Sequence, residues 1–387
     1  MRKILYSLFI CSAIAAFAQE KKFFEKGEVQ LQHPLEKVNL RFENNLPFVK
    51  VDINGKMYNF LFDTGAPTVI SQAIYKELNL KKKYRKAIRD SDQNVQQQIL
   101  TELPEMKVDR LVFKNIGAIV IDLNSAELGC LKVDGIIGAN QMAKLFWKIN
   151  YSENSLEASK DLSLFDLRDY GTVIPFEAKP QKTPMVSAAL LNREVKFTFD
   201  TGFSGRLETS GDHLDPEKFN HYVKTFGTRT TGAFGTAKPV PGYIFRADSM
   251  KIGNTLFQNE RISSGKMNLA GNEFFKDFIF VIDWRSNKIY MKRIGTSQPM
   301  LASFGFSYRF ADGKASVTFV FEEENFPLKI GDSIVSINGI SLENLDQDQA
   351  CYYFINRIEK DQKSIDVRIN RDGKILDFKL SKKEYLK

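Results

Sequence analysis

The chain has 387 residues, of which 43% are hydrophobic, 12% aromatic and 26% charged, with a formal net charge of +8. At roughly 150 residues per domain this predicts two or three packed domains, and the composition excludes a disordered or collagen-like chain. The positive excess is spread along the sequence without interleaved aromatic residues, which argues against a nucleic-acid partner, and His33, His213 and His221 form no cluster from which a zinc centre or a Ser-His-Asp triad could be built, so neither metal nor cofactor is expected.

At the N-terminus, Arg2 and Lys3 precede the apolar run ILYSLFICSAIAAFA, which closes on the small-x-small sequence Ala16-Phe17-Ala18. This predicts a secretory signal peptide over residues 1–18, too short in its apolar part for a membrane span, and hence an exported, periplasmic or secreted protein. Removing those residues takes Lys+Arg from 55 to 53 against 47 acids, so the mature chain carries +6. It keeps only Cys130 and Cys351, far apart in sequence, and no disulfide framework is expected from so few. Whether residues 19–40 are an activation peptide stays open.

The next elements come in two copies. LPFVKVDINGKMYNFLFDTG begins at Leu46 and TPMVSAALLNREVKFTFDTG begins at Thr183, offset by 137 residues. Each reads as a strand, a turn at NGK or LNRE, and a second strand ending on an Asp. Further on, IIGANQMAKLFWKINYSENSL from Ile136 resembles LAGNEFFKDFIFVIDWRSNKI from Leu269 at an offset of 133, so that Gly138 meets Gly271, Asn140 falls near Asn272, and Asn150-Tyr151 falls on Asp283-Trp284. A short helix and a closing strand are expected after each glycine. This is the pattern of a duplicated, mostly β unit.

Asp63 and Asp200 each end an apolar strand and enter a tight Asp-Thr-Gly turn. Gly65 and Gly202 permit the turn and leave room beside the carboxylate; Thr64 and Thr201 supply hydroxyls. If a pseudo-twofold axis brings the turns together, two carboxylates at roughly 3 Å share one proton. One then serves as base towards a water while the other polarises a carbonyl, with no metal or covalent nucleophile. The pattern resembles the aspartic peptidases, most closely the retropepsin-like branch with both lobes in one chain, over about residues 40–293. That resemblance implies catalytic roles for Asp63 and Asp200, a mutual brace by Thr64 and Thr201, peptide or protein substrates, and a β-hairpin flap over the cleft. The flap is sought in Arg89–Leu100 of the first copy or in the Gly-rich Thr230–Tyr243 of the second, which contains Phe234.

After the turn-rich segment at Ile294–Pro299 the composition changes. GDSIVSINGISL from Gly331 reads as a strand and an Asn-Gly turn. DQDQACYYFINRI from Asp346 has helical spacing, with Ala350, Tyr353, Phe354 and Ile358 near one face, and RDGK at Arg371 signals a closing hairpin. This segment resembles a PDZ domain, in which Phe304, Gly305 and Phe306 would lie in the carboxylate-binding loop and a peptide C-terminus would add as a strand.

The expected architecture is therefore mostly β: a signal peptide (1–18), a first aspartic-peptidase lobe (19–162), a second lobe (163–296) and a PDZ domain (297–387), in a monomer without a stable membrane span. The expected function is that of an exported aspartic endopeptidase with a PDZ domain for peptide or partner recognition. The alternative is a non-catalytic binding scaffold that uses the PDZ domain alone. A serine or cysteine hydrolase is disfavoured, because Ser204 lacks GxSxG spacing and Cys130 has no identifiable His partner.

Overall fold

The Phe-x-Phe leads alternate across their strands as period-2 geometry requires. Phe60 and Phe62 in strand Lys56–Asp63, and Phe197 and Phe199 in strand Arg193–Phe199, are at most 1% exposed and point into one apolar core. A computed structural model describes residues 22–386 apart from 91–92, 125–128, 212–213, 229–230, 233, 237 and 296–299. The expected signal peptide lies outside the described residues. The fold is mostly β, as expected.

Each Asp-bearing strand has the same neighbours. Strand Leu46–Ile53 pairs antiparallel with Lys56–Asp63, and Gly135–Gly138 lies parallel on the other side, with Gly138 opposite Asp63. In the second β unit, Pro184–Leu190 pairs antiparallel with Arg193–Phe199, and Leu269–Ala270 lies parallel beside it. Short helices follow, Ala139–Met142 and Asn272–Phe275, their N-caps Gly138 and Gly271. A methyl at Gly138 would sit 2.1 Å from the Pro67 backbone, and one at Gly271 2.5 Å from the Phe203 backbone, so only glycine fits where these turns cross.

A six-stranded antiparallel sheet joins the two units. Its order is Leu35–Asn39, Ser155–Ser159, Phe146–Asn150, Phe278–Asp283, Lys288–Arg293 and Thr172–Ala178. The seam lies where Trp147 faces Ile282 and Ile149 faces Phe280. The segment following the expected signal peptide is part of the packing: Phe23 and Phe24 are buried, and strand Glu28–Gln30 pairs with Leu111–Ile121.

The C-terminal unit contains the expected helix, Gln347–Ile355, started by a capping box between Asp346 and Gln349. Ala350 is buried, Tyr353 and Ile358 pack against the local core, and the helix ends before Ile358. The closing hairpin pairs Ser364–Arg371 with Lys374–Ser381.

This unit is tied to both others. Its strand Lys314–Phe321 pairs antiparallel with Tyr222–Gly227 of the second unit, and Phe319, Phe321 and Leu301 share an apolar cluster with Ile244. Contrary to the sequence expectation, the two cysteines pair: Cys130, in the connection leading to Gly135–Gly138, is disulfide-bonded to Cys351 on the helix, 221 residues away. A closed loop of that length removes much freedom from the unfolded chain, so replacing both cysteines by serine should cost about 2–4 kcal/mol. Thermal unfolding of the double variant against the oxidised wild type measures this; an unchanged midpoint would show the link to be dispensable.

Candidate active site

The Asp-Thr-Gly turns meet. Thr64 N–H donates to Thr201 Oγ1 at 3.0 Å, and Thr201 N–H donates to Thr64 Oγ1 at 3.0 Å. Each hydroxyl then donates across the seam, Thr64 to the Phe199 carbonyl at 2.5 Å and Thr201 to the Phe62 carbonyl at 2.7 Å. Both threonines are fully buried. Four reciprocal bonds in a dry site hold the two loops at one spacing.

This places the carboxylates of Asp63 and Asp200 in hydrogen-bond contact. The glycines make that approach possible. A methyl on Gly65 would sit 2.4 Å from Asp200 Cγ, and one on Gly202 would sit 2.3 Å from Asp63 Cγ. Each glycine thus clears space for the carboxylate of the opposite turn.

The pair is electrostatically unequal. Burial pushes both carboxyls upward, and the charge of Asp63 raises Asp200 further, well above the ordinary aspartate range. Asp63 Oδ1 accepts N–H bonds from Gly65 at 2.7 Å and Ala66 at 3.1 Å and is also supported by Gly202 N–H, whereas Asp200 is supported by Gly202 N–H, at 2.8 Å from Oδ1, and by Phe203 N–H. Donors favour the charged form, so Asp63 is the better carboxylate and Asp200 the better host for a shared proton. A pair in this state can take a proton from water at one oxygen and offer one to a carbonyl at the other.

The flap candidates from the two copies are in contact with each other. The first-unit hairpin, Lys82–Arg89 with Val95–Val108, and the second-unit tip, Thr231–Gly232 with Gly235–Thr236, touch end to end. Phe234 N–H donates to Asp90 Oδ2 at 2.8 Å, and Asn94 Nδ2 reaches the Gly235 carbonyl at 3.4 Å. Phe234 packs against the apolar cluster that includes Leu61, Val69 and Ile136, beside the Asp63 strand.

In the C-terminal unit, Phe304 and Phe306 are buried core residues and Gly305 has φ +82°. Gly305 N–H donates to Ser303 Oγ at 3.0 Å, and its carbonyl accepts Phe321 N–H at 2.7 Å. Val317, opposite Tyr308, turns its N–H and carbonyl towards Asp332 and Gly331, so the Tyr308 carbonyl faces the free edge of strand Phe306–Ala311. Arg357 Nη1 donates to that carbonyl at 3.0 Å, and its guanidinium lies 4.5 Å from the Tyr308 ring centre. These residues are thus far from the Asp pair in role: a backbone edge, partly capped by an arginine.

Sequence reading missed Tyr151, Asn272 and Arg206. The first two had a visible trace, in the aromatic residue ending each closing strand and the asparagines recurring near Gly138 and Gly271. Arg206 had none, because its partners Glu260 and Asp277 are distant in sequence and meet it only in the fold.

No curated protein matches the chain. Residues 49–140, which hold Asp63 and run through Ile136-Ile137-Gly138, match the family model described as Aspartyl protease, and this stretch is an aspartyl protease-like domain.

Proposed function

We propose that the chain is an exported aspartic endopeptidase whose two pseudo-symmetric lobes share one active site. The observation that carries this reading is the pair Asp63 and Asp200, in contact, buried, unequal in proton affinity and braced by Thr64 and Thr201. Asp63 takes a proton from a water bound between the carboxylates. Asp200 donates its proton to the scissile carbonyl, and the tetrahedral product collapses with proton return to the leaving amine. Opening of the paired hairpin tips, joined where Phe234 N–H meets Asp90, admits an extended substrate. The test is cleavage of a denatured protein by the chain lacking residues 1–18, with inhibition by pepstatin. Inactivity across acid and neutral pH would favour the non-catalytic scaffold.

We read the C-terminal unit as a PDZ-like docking site for a polypeptide C-terminus, a reading supported by the strand Phe306–Ala311 after the Phe304-Gly305-Phe306 turn and by the helix Gln347–Ile355. A peptide strand added at Phe306–Ala311 competes with Arg357 for the Tyr308 carbonyl. Arg357→Ala in the full chain should therefore tighten binding of C-terminal peptides by about 3- to 10-fold, the worth of one modest hydrogen bond. Fluorescence anisotropy over a C-terminal peptide library reads this out; weaker binding in the variant would assign Arg357 to ligand recognition instead.

A further inference from the structure

Around the Asp pair the two turns differ in what lies beneath them. The carbonyl of Thr201 and the N–H of Gly202 belong to one peptide group. Its N–H donates to Asp200 Oδ1 at 2.8 Å and also supports Asp63. Its carbonyl accepts a bond from Asn272 Nδ2 at 2.7 Å, and the same amide nitrogen reaches the Asn45 carbonyl at 2.8 Å. Asn272 is fully buried. Two carbonyls demand both N–H groups of the amide, so its oxygen must face the remaining partner, the Tyr151 hydroxyl, which donates to Oδ1 at 2.6 Å. Tyr151 comes from the first β unit and Asn272 from the second, so the support crosses the seam. At Gly138 and Gly271 the helices begin alike, but the residue after Gly138 is Ala139, which has no amide to offer the first turn.

A hydrogen bond to a peptide carbonyl strengthens the N–H of the same group as a donor. We propose that Tyr151 and Asn272 are positioning residues for the Asp pair: they lock the Thr201–Gly202 peptide with its N–H on the carboxylates and so favour the ionised forms of the pair. The inference rests on the peptidase reading. Tyr151 is suited to the task because burial, with the charges of Asp200 and Asp63 added, holds its hydroxyl well above the usual tyrosine range, leaving it a permanent donor. The stack of Phe42 on its ring, centres 4.1 Å apart, fixes its direction. Among the described residues, Lys179 is a further titratable group whose charge interacts with the pair, half-buried and in the field of Asp200; it is left intact by the test.

The sign follows from what the N–H stabilises. A weaker or misdirected donor raises the carboxylate pKa, so the ionised member of the pair picks up its second proton at a higher pH. Tyr151→Phe should lower kcat about 10- to 100-fold, as small misplacements near a reacting centre do, with KM within about twofold. The pH–kcat/KM profile should move to higher pH, its acid limb included, and Asn272→Ala should shift it the same way. The measurement is the full pH profile of both variants and wild type on one denatured protein substrate, with thermal unfolding recorded in parallel. Variants that lose stability while the acid limb stays in place would reduce the pair to structural support and overturn the proposal; should Asn272→Ala fail to fold, Tyr151→Phe decides. A wild-type chain that cleaves nothing would instead remove the peptidase reading, and this inference with it.

Discussion

Asp63→Asn and Asp200→Asn should each abolish peptide-bond cleavage, lowering kcat by about 10³-fold or more, while the protein unfolds at nearly the wild-type temperature. General acid–base steps contribute about 10²–10⁴-fold each, and the two roles here fail together. Asparagine keeps the size of the side chain and can still accept Gly65 N–H or Gly202 N–H, so the Thr64–Thr201 brace survives. It cannot share a proton. At Asp63 it leaves no base for water; at Asp200 it leaves no acid for the carbonyl. In the wild type, activity should fall as pH rises through the upper apparent pKa of the pair, because the doubly ionised state has no proton to donate, and fall again below the lower one. Burial raises both carboxyls, which moves the working range above that of free aspartate. Initial rates on a denatured protein across pH, with circular dichroism of each variant, check this. Full activity in Asp63→Asn would end the two-carboxylate mechanism.

The largest loss of stability is expected at Arg206. Its guanidinium bonds Glu260 at 2.8 Å, Asp277 at 3.3 Å and the Glu273 carbonyl at 3.0 Å, with the Arg206 side chain 4% exposed. The Arg206 carbonyl accepts Gly271 N–H at 2.9 Å, so this ion network underpins the turn behind Asp200. Arg206→Leu removes the cation and strands buried Glu260, which should cost roughly 3–5 kcal/mol. Even with Arg206 present, burial holds the Glu260 carboxyl above its ordinary value. Without Arg206 it rises further, so the folded variant binds a proton that the unfolded chain has released. Stability of the variant therefore falls as pH rises above the unfolded glutamate value of about 4.3, and the deficit should be largest at neutral pH and shrink towards pH 5. Urea unfolding at two pH values measures it; a loss under about 1 kcal/mol would show that Leu packing compensates for the missing cation.

The local elements were legible because they depend on local patterning. Alternating Phe60 and Phe62, or Phe197 and Phe199, define which face of a strand is buried, and the Asp-Thr-Gly turns, the glycines at 138 and 271 and the capped helix at Asp346 follow from residues a few positions apart. Repetition of the motif also singles out Asp63 and Asp200 together. What no stretch of sequence carries is contact between distant segments. The joining of Cys130 to Cys351 spans 221 residues. The hairpin from the first unit lacks a Gly-rich tip, yet it closes against Phe234 because Asp90 meets that backbone in space. The inequality of the two carboxylates has the same origin. Asp63 and Asp200 sit in identical tripeptides, so the sequence marks them as chemically alike; desolvation and the N–H donors around each carboxylate, which differ only once the chain has folded, leave the charge on Asp63 and the proton on Asp200.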